Sequence, residues 1–250
     1  MRLVLATSAA AMAIAAAAAS AGAQVVERRP RPAQPFEERG PATTFVGGGF
    51  TYASPQGVFR DYVNGAFGLA GNVLHTFDED GIVALRAELG YLIYGSTTRR
   101  QPLGGGALGL IDVDVTTSNN IVFGAAGLQL MAPTRGVRPY VSGSIGFSYF
   151  FTTSSVAGSQ SYDKQFAESQ NFSDGGFTTL WGGGLYIPLS GGARPIALDL
   201  GAQVHKNSDI QYLNRNSIRI DNTQSTPVIT PIRSAADFIT FRLGLTFGVR

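Results

Sequence analysis

The final segment of this 250-residue chain, Phe238 to Val249, alternates in polarity with a period of two. Ile239, Phe241, Leu243, Leu245, Phe247 and Val249 are all apolar, whereas Thr240, Arg242, Gly244, Thr246 and Gly248 are polar or small. Successive side chains of an extended strand point to opposite faces, so this pattern builds a strand with one oily face and one wet or crowded face. A chain that closes on such a strand needs an apolar surrounding for it, which is either a protein core or lipid.

Seven further segments carry two-fold periodicity. They lie at about Thr43–Tyr52, Tyr62–Thr76, Ile82–Tyr94, Asn120–Met131, Tyr140–Phe151, Phe177–Ile187 and Ile196–Lys206. The second carries Val63, Phe67, Leu69 and Val73 on one face. In the third, Val83, Leu85, Ala87, Leu89, Tyr91 and Ile93 oppose Arg86, Glu88 and Gly90. The fourth is mixed, and its facing stays open. The fifth sets Val141, Ile145, Phe147, Tyr149 and Phe151 against Ser142, Ser144, Gly146 and Ser148. The seventh opposes Ile196, Leu198, Leu200 and Val204 to Asp199, Gln203 and His205. Links near 77–81, 132–138 and 188–194 are short, with Asp, Gly or Pro turn chemistry. Links at 95–119, 152–176 and 207–236 are long and polar, and the first, 53–61, is intermediate.

The N-terminus narrows the choice of surrounding. Arg2, an alanine-rich apolar run from Leu3 to Ala19, and Ala21-Gly22-Ala23 make the three parts of a secretory signal peptide, residues 1–23. Residues 24–41 are charged and proline-rich and read as a periplasmic linker, leaving 42–250 as one domain. Only Lys164 and Lys206 are lysines, although a soluble β-protein covers its outer faces with Lys and Glu. No later stretch is long and apolar enough for a transmembrane helix, so membrane insertion would require a closed β-barrel. Short turns at one end and long loops at the other match an outer-membrane barrel. A soluble up-and-down barrel alternates similarly; the lysine shortage and the loop asymmetry count against it. The formal charge of +2 gives no basic surface for nucleic acid, and the absence of cysteine removes disulfides, thiolate metal sites and cysteine nucleophiles. No cofactor and no metal site is expected.

With these residues in view, the chain resembles the outer-membrane β-barrel domain family, the group that contains small eight-stranded OmpA-type barrels. Its closing segment, with Arg242, Gly244, Phe247 and Val249, is similar to the family's C-terminal assembly signal, although the chain ends in Arg250 where many such proteins end in an aromatic. The resemblance implies an all-β, eight-stranded, antiparallel up-and-down transmembrane barrel in the bacterial outer membrane. It also implies contact with outer-membrane lipid and lipopolysaccharide, and recognition by the barrel-insertion machinery.

The inward-facing ionisable residues expected from parity are Arg86, Glu88, Asp199 and Arg242, with His205 near the outer end of its strand. A narrow lumen holding four charges forms a salt-bridged plug or lines an ion path. Tyr52, Tyr91, Tyr94, Tyr140, Tyr149 and Trp181 are candidates for interfacial aromatic girdles. Gly47–Gly49, Gly104–Gly106 and Gly182–Gly184 lack the Gly-Lys-Ser/Thr of a phosphate loop. The expected role is structural or surface interaction, through an extracellular ligand held by the long loops, and not catalysis. A small channel is the alternative. A lipid-active enzyme using His75 or His205, or a protease using His205 with Asp209, comes third.

Overall fold

In the computed structural model, the described residues are 43–78, 80–102, 112–134, 136–158, 165–192, 194–214, 217–219 and 228–249. The expected signal peptide, the proline-rich segment and the glycine run 104–106 lie outside them. Eight strands form the wall: β1 (Thr44–Pro55), β2 (Ala66–Thr76), β3 (Val83–Pro102), β4 (Asp112–Met131), β5 (Arg138–Gly158), β6 (Gln165–Ser190), β7 (Ile196–Asn207) and β12 (Phe238–Val249). They close in the spatial order β1-β12-β7-β6-β5-β4-β3-β2, with every neighbouring pair antiparallel. The connections hold a short helix, α1 (Gly57–Tyr62), and four small strands: β8 (Asp209–Tyr212), β9 (Ile218–Arg219), β10 (Val228–Ile229) and β11 (Ile232–Ala235). β8 pairs with β11, and β9 with β10. No described helix is long and apolar enough to cross a membrane.

The alternation on β12 becomes a two-sided wall. Thr240, Arg242 and Thr246 are buried inside, whereas Phe241, Leu243, Leu245, Phe247 and Val249 are exposed outside. The other strands repeat this, with Phe50 73% and Phe67 68% exposed on β1 and β2. A soluble domain hides its large apolar residues; this one presents them around its circumference.

The strands are not of equal length. β1, β2, β7 and β12 have 11 or 12 residues, but β3, β4, β5 and β6 have 20, 20, 21 and 26. The described parts of the segments 95–119 and 152–176, expected as loops, are therefore continued strand, raised as a four-stranded sheet above the mouth; 103–111 and 159–164 lie outside the described residues. Their sequence hides this because hydroxyl pairs replace apolar alternation: Thr98 meets Thr116 at 2.9 Å and Thr117 meets Ser154 at 2.9 Å. Two other expectations need correction. The link 53–61 runs into α1, whose single buried residue is Phe59. Val63 follows that helix and packs into the interior instead of opening β2.

The lumen is layered. At the turn end, Leu74, Ala84, Met131, Tyr140 and Tyr186 form an apolar floor. At the loop end, Leu92, Ile121, Phe150 and Phe238 from the wall join Phe59, Ile210 and Tyr212 from above. Phe59 packs edge-on against Tyr94, Phe150 and Tyr212, with centroids 5.9, 5.9 and 5.0 Å away. This plug explains the mixed pattern of β4. Ile121, Phe123 and Met131 face the apolar ends of the lumen, while Leu128 and Leu130 face outward, so both faces are oily.

Gly90 lies opposite Phe123 in the β3–β4 register, and a Cβ there would run into the Phe123 ring. Gly90→Val is expected to destabilise the barrel by about 1–3 kcal/mol through overpacking. Urea unfolding of the refolded protein should register this as a lower midpoint, and an unchanged midpoint would contradict the packing described.

Candidate functional site

Between the two apolar layers lies one connected polar group. Arg86 is fully buried; its Nε and Nη2 donate to Glu88 Oε2 at 3.1 and 2.9 Å, and its Nη1 donates to Gln129 Oε1 at 2.7 Å. Glu88 Oε1 accepts from Gln203 Nε2 at 3.1 Å. Arg242 Nε donates to Asp199 Oδ2 at 3.0 Å, its Nη2 donates to the Tyr140 hydroxyl at 3.0 Å, and that hydroxyl donates to Asp199 Oδ1 at 2.7 Å. Arg242 Nη1 stands 3.6 Å from Glu88 Oε2 and joins the two halves. Two cations and two carboxylates thus balance, which buried charge requires.

Strand geometry assembles the group. Arg86 and Glu88 share a face of β3 two residues apart, and Asp199 sits on β7 opposite Gly244, two residues from Arg242. Glycine makes the space: a Cβ at Gly184 or Gly201 would lie 2.6 or 2.5 Å from the Tyr140 hydroxyl oxygen. The parity reading places the four charges together but misses the neutral partners Tyr140, Gln129 and Tyr186. Tyr140 is expected among the interfacial aromatics, yet it is buried in the lumen and stacked on Tyr186 at 4.6 Å. Tyr94 is likewise corrected: it is buried in the outer plug, and its hydroxyl donates to the Leu213 carbonyl at 3.1 Å. The signal for both was available. Tyr140 has the parity of Ser142, and Tyr94 the parity of Glu88.

The remaining four aromatics do face outward. Tyr52 lies 4.9 Å from Phe67, Tyr91 donates to Asn120 Oδ1 at 2.8 Å, Tyr149 stacks on Phe151 at 5.6 Å, and Trp181 is exposed. Gly244 faces the lumen side of β12, and Phe247 and Val249 lie on its exposed face.

The histidines occupy unrelated places. His205 is fully buried, stacked on Phe238 at 4.3 Å, edge-on to Phe123 at 4.8 Å, and bonded through Nε2 to Thr240 Oγ1 at 3.1 Å. His75, at the turn end, is exposed and meets Thr44 Oγ1 at 3.0 Å. Asp209 opens β8 and is exposed, so the imagined His205–Asp209 pair is not formed. Among the described residues, no cluster of His, Cys, Asp or Glu could hold a metal ion.

The turn end is locked by side chains. Both Asp78 carboxylate oxygens accept backbone N–H groups, from Ile82 at 2.7 Å and Val83 at 2.8 Å. These bonds hold the Asp78 carboxyl below its usual range. Gly81 turns the chain at φ +63°. Arg138 ties two turns, its Nε donating to the Ala132 carbonyl at 3.1 Å and its Nη2 to the Asp80 and Gly81 carbonyls at 2.9 Å each.

The architecture thus defines an eight-stranded antiparallel barrel with an apolar outside and a charge-bearing interior. No protein-family model and no curated protein matches the chain. Among solved structures, it is similar to Ail, the attachment invasion locus protein of Yersinia pestis, at 11% identity and a TM-score of 0.41, over 83% of this chain and 98% of that one. It is also similar to Neisserial surface protein A, at 10% identity and a TM-score of 0.41, over 84% of this chain and 100% of that one.

Two tests follow from the site. Arg242→Leu or Asp199→Leu alone leaves a buried charge unpaired, at an expected cost of about 3–5 kcal/mol. The double replacement is expected to recover most of that loss in a double-mutant cycle read by urea unfolding, and simply additive losses would contradict the pairing. At the turn, a carboxyl whose folded value is depressed stabilises above its unfolded value of about 3.9, and that stabilisation is lost as pH falls through the lower folded value. The protection of the Ile82 and Val83 amides, taken relative to the exchange rate of an unstructured chain at the same pH, should fall over that acid range in the native chain, and lose this dependence in Asp78→Asn.

Proposed function

We propose that the chain is a bacterial outer-membrane barrel whose work is contact at the cell surface and whose lumen does not conduct ions. The observation that carries the reading is the combination of an apolar outer wall with a raised polar sheet. A Lys or Arg at the middle of a lipid-facing wall costs about 2–4 kcal/mol, which accounts for outward rows of Leu, Val and Phe on the lower strands. Above them β3–β6 continue as a Ser- and Thr-rich sheet, a surface suited to binding and not to spanning hydrocarbon. On this reading the short turns face the periplasm, Tyr52, Tyr91, Tyr149 and Trp181 lie toward the outer interface, and lipopolysaccharide surrounds the raised sheet. The last strand, with Arg242, Gly244, Phe247 and Val249, serves insertion.

Closure of the lumen is supported by three stacked barriers: the apolar floor, the balanced ion network and the aromatic plug. The channel alternative draws on one observation. Buried Thr51 Oγ1, Thr246 Oγ1 and both polar atoms of the Asn72 side chain have no partner, and such groups hold water. No catalytic role is assigned, because the two histidines stand at opposite ends of the barrel and each is held by a threonine hydroxyl.

The chain has no cysteine, so single introduced thiols report topology directly. In intact cells a membrane-impermeant maleimide is expected to label Ser96→Cys on the raised sheet and to leave Gly191→Cys, at a short turn, unlabelled. The reverse pattern would refute the orientation. In planar bilayers the native protein is expected to give no steady single-channel current; currents altered by Arg86→Gln or Asp199→Asn would favour the channel.

A further inference from the structure

The turn end of the barrel holds a cavity that the ion network and the outer plug do not use. It measures about 190 Å³ and lies against the apolar floor, where Leu74, Met131 and Tyr186 line it together with Phe45 from β1 and Ala197 from β7. It reaches the turn residues Gly136, Ser190 and Pro195, and Arg138 stands in its wall. None of the four buried charges Arg86, Glu88, Asp199 and Arg242 lines it.

The lining selects the guest. A held water molecule needs two to four polar partners, and the Leu74, Met131 and Ala197 side chains offer none, so the cavity suits an apolar occupant. Size limits that occupant to one ring. Pockets for drug-sized ligands measure about 300–1,000 Å³, whereas an apolar cavity of about 150 Å³ takes benzene. The surface favours an aromatic ring over an aliphatic one. Phe45 and Tyr186 present rings, and Tyr186 is held by stacking on Tyr140 at 4.6 Å. Met131 adds a thioether, which attracts ring edges. The Arg138 guanidinium, pinned by the Ala132, Asp80 and Gly81 carbonyls, offers a fixed cation to a ring face. Charge at this end is already balanced. The Asp78 carboxylate and Arg138 attract each other, and the exposed Asp80 lies beside them, so a ligand charge of either sign gains little.

We propose that this cavity is a binding site for a small, uncharged aromatic molecule of one ring. The ring packs among Phe45, Met131 and Tyr186, and any polar substituent points toward the turns and solvent. The site goes beyond the surface-contact reading and does not depend on it, because it follows from the packing of the turn end alone. On the orientation given above, the ligand enters from the periplasm.

Met131 is the only methionine after residue 23, so one methyl group reports on the cavity. The test uses the exported chain, labelled with ¹³C-methyl methionine, in lipid nanodiscs. The probes are phenol, cyclohexanol and benzoate, which match in ring size and differ in aromaticity and charge. Phenol is expected to shift the Met131 methyl resonance saturably, with half-saturation on the order of a millimolar. Cyclohexanol and benzoate, read by competition, are expected to bind at least about fivefold more weakly. Ala197→Phe fills the cavity and should abolish the phenol response while keeping the heat-dependent gel shift of the folded barrel. Leu74→Ala enlarges the cavity and should reverse the native preference for phenol over 2-naphthol, which keeps the proposal open to refutation if Ala197→Phe does not fold. A shift that rises without saturating reports phenol dissolved in lipid and overturns the proposal. Equal binding of cyclohexanol or benzoate also overturns it, as does a phenol response that survives in folded Ala197→Phe or an unchanged ring preference in Leu74→Ala.

Discussion

The whole molecule depends on the pairing of its first strand with its last. β1 meets β12 along its full length, from Thr44 opposite Val249 to Pro55 opposite Phe238. Without it, the wall would end in two rows of unpaired N–H and C=O groups. In hydrocarbon nothing could satisfy them, and each would cost several kcal/mol. Closure removes both edges at once and leaves the apolar residues on the outside with no backbone liability. It also explains why a chain with so few lysines tolerates such an oily circumference.

Closure then dictates the interior. A barrel of eight strands has room for side chains and little else, so what faces inward must fit and be electrically balanced. Glycine and large side chains alternate across the lumen, with Gly90 opposite Phe123 and with Gly184 and Gly201 beside Tyr140. The four charges form two linked pairs, and the tyrosine and glutamine side chains accept or donate where the carboxylates and guanidinium groups need partners. Such a core orders the wall from inside, because its members come from β3, β4, β5, β7 and β12. The outer plug works differently. Helix α1 and the β8–β11 hairpin insert Phe59, Ile210 and Tyr212 from above, and Asp237 anchors the connection by accepting from Asn207 N at 2.9 Å and pairing with Lys206 at 2.7 Å.

Much of the wall is legible in the sequence, because period-two alternation survives wherever one side is oily and the other polar. The closing strand and β3 between Val83 and Ile93 are clear for that reason. β4 is opaque because Ile121 and Phe123 face an apolar plug while Leu128 faces outward. The raised parts of β3–β6 look like loops in the sequence because serine and threonine on both faces erase the alternation, even though β-branched residues favour strand. α1 has a single buried anchor, Phe59, too little for periodicity to register. Of the candidate site, the four charges follow from parity alone. Tyr140 is expected outward from its residue type, but its parity is that of Ser142, and parity is the stronger constraint in a closed barrel.

The barrel stands on closure, and cross-linking reads closure most directly. Phe50 and Leu243 are register partners across the β1–β12 seam, and both face outward. In this cysteine-free chain, Phe50→Cys with Leu243→Cys is expected to form an intramolecular disulfide on mild oxidation of the folded protein, whereas Phe50→Cys with Phe247→Cys, four residues out of register, is not. Absence of the first cross-link in folded protein, or equal formation of both, would contradict the seam on which the structure depends.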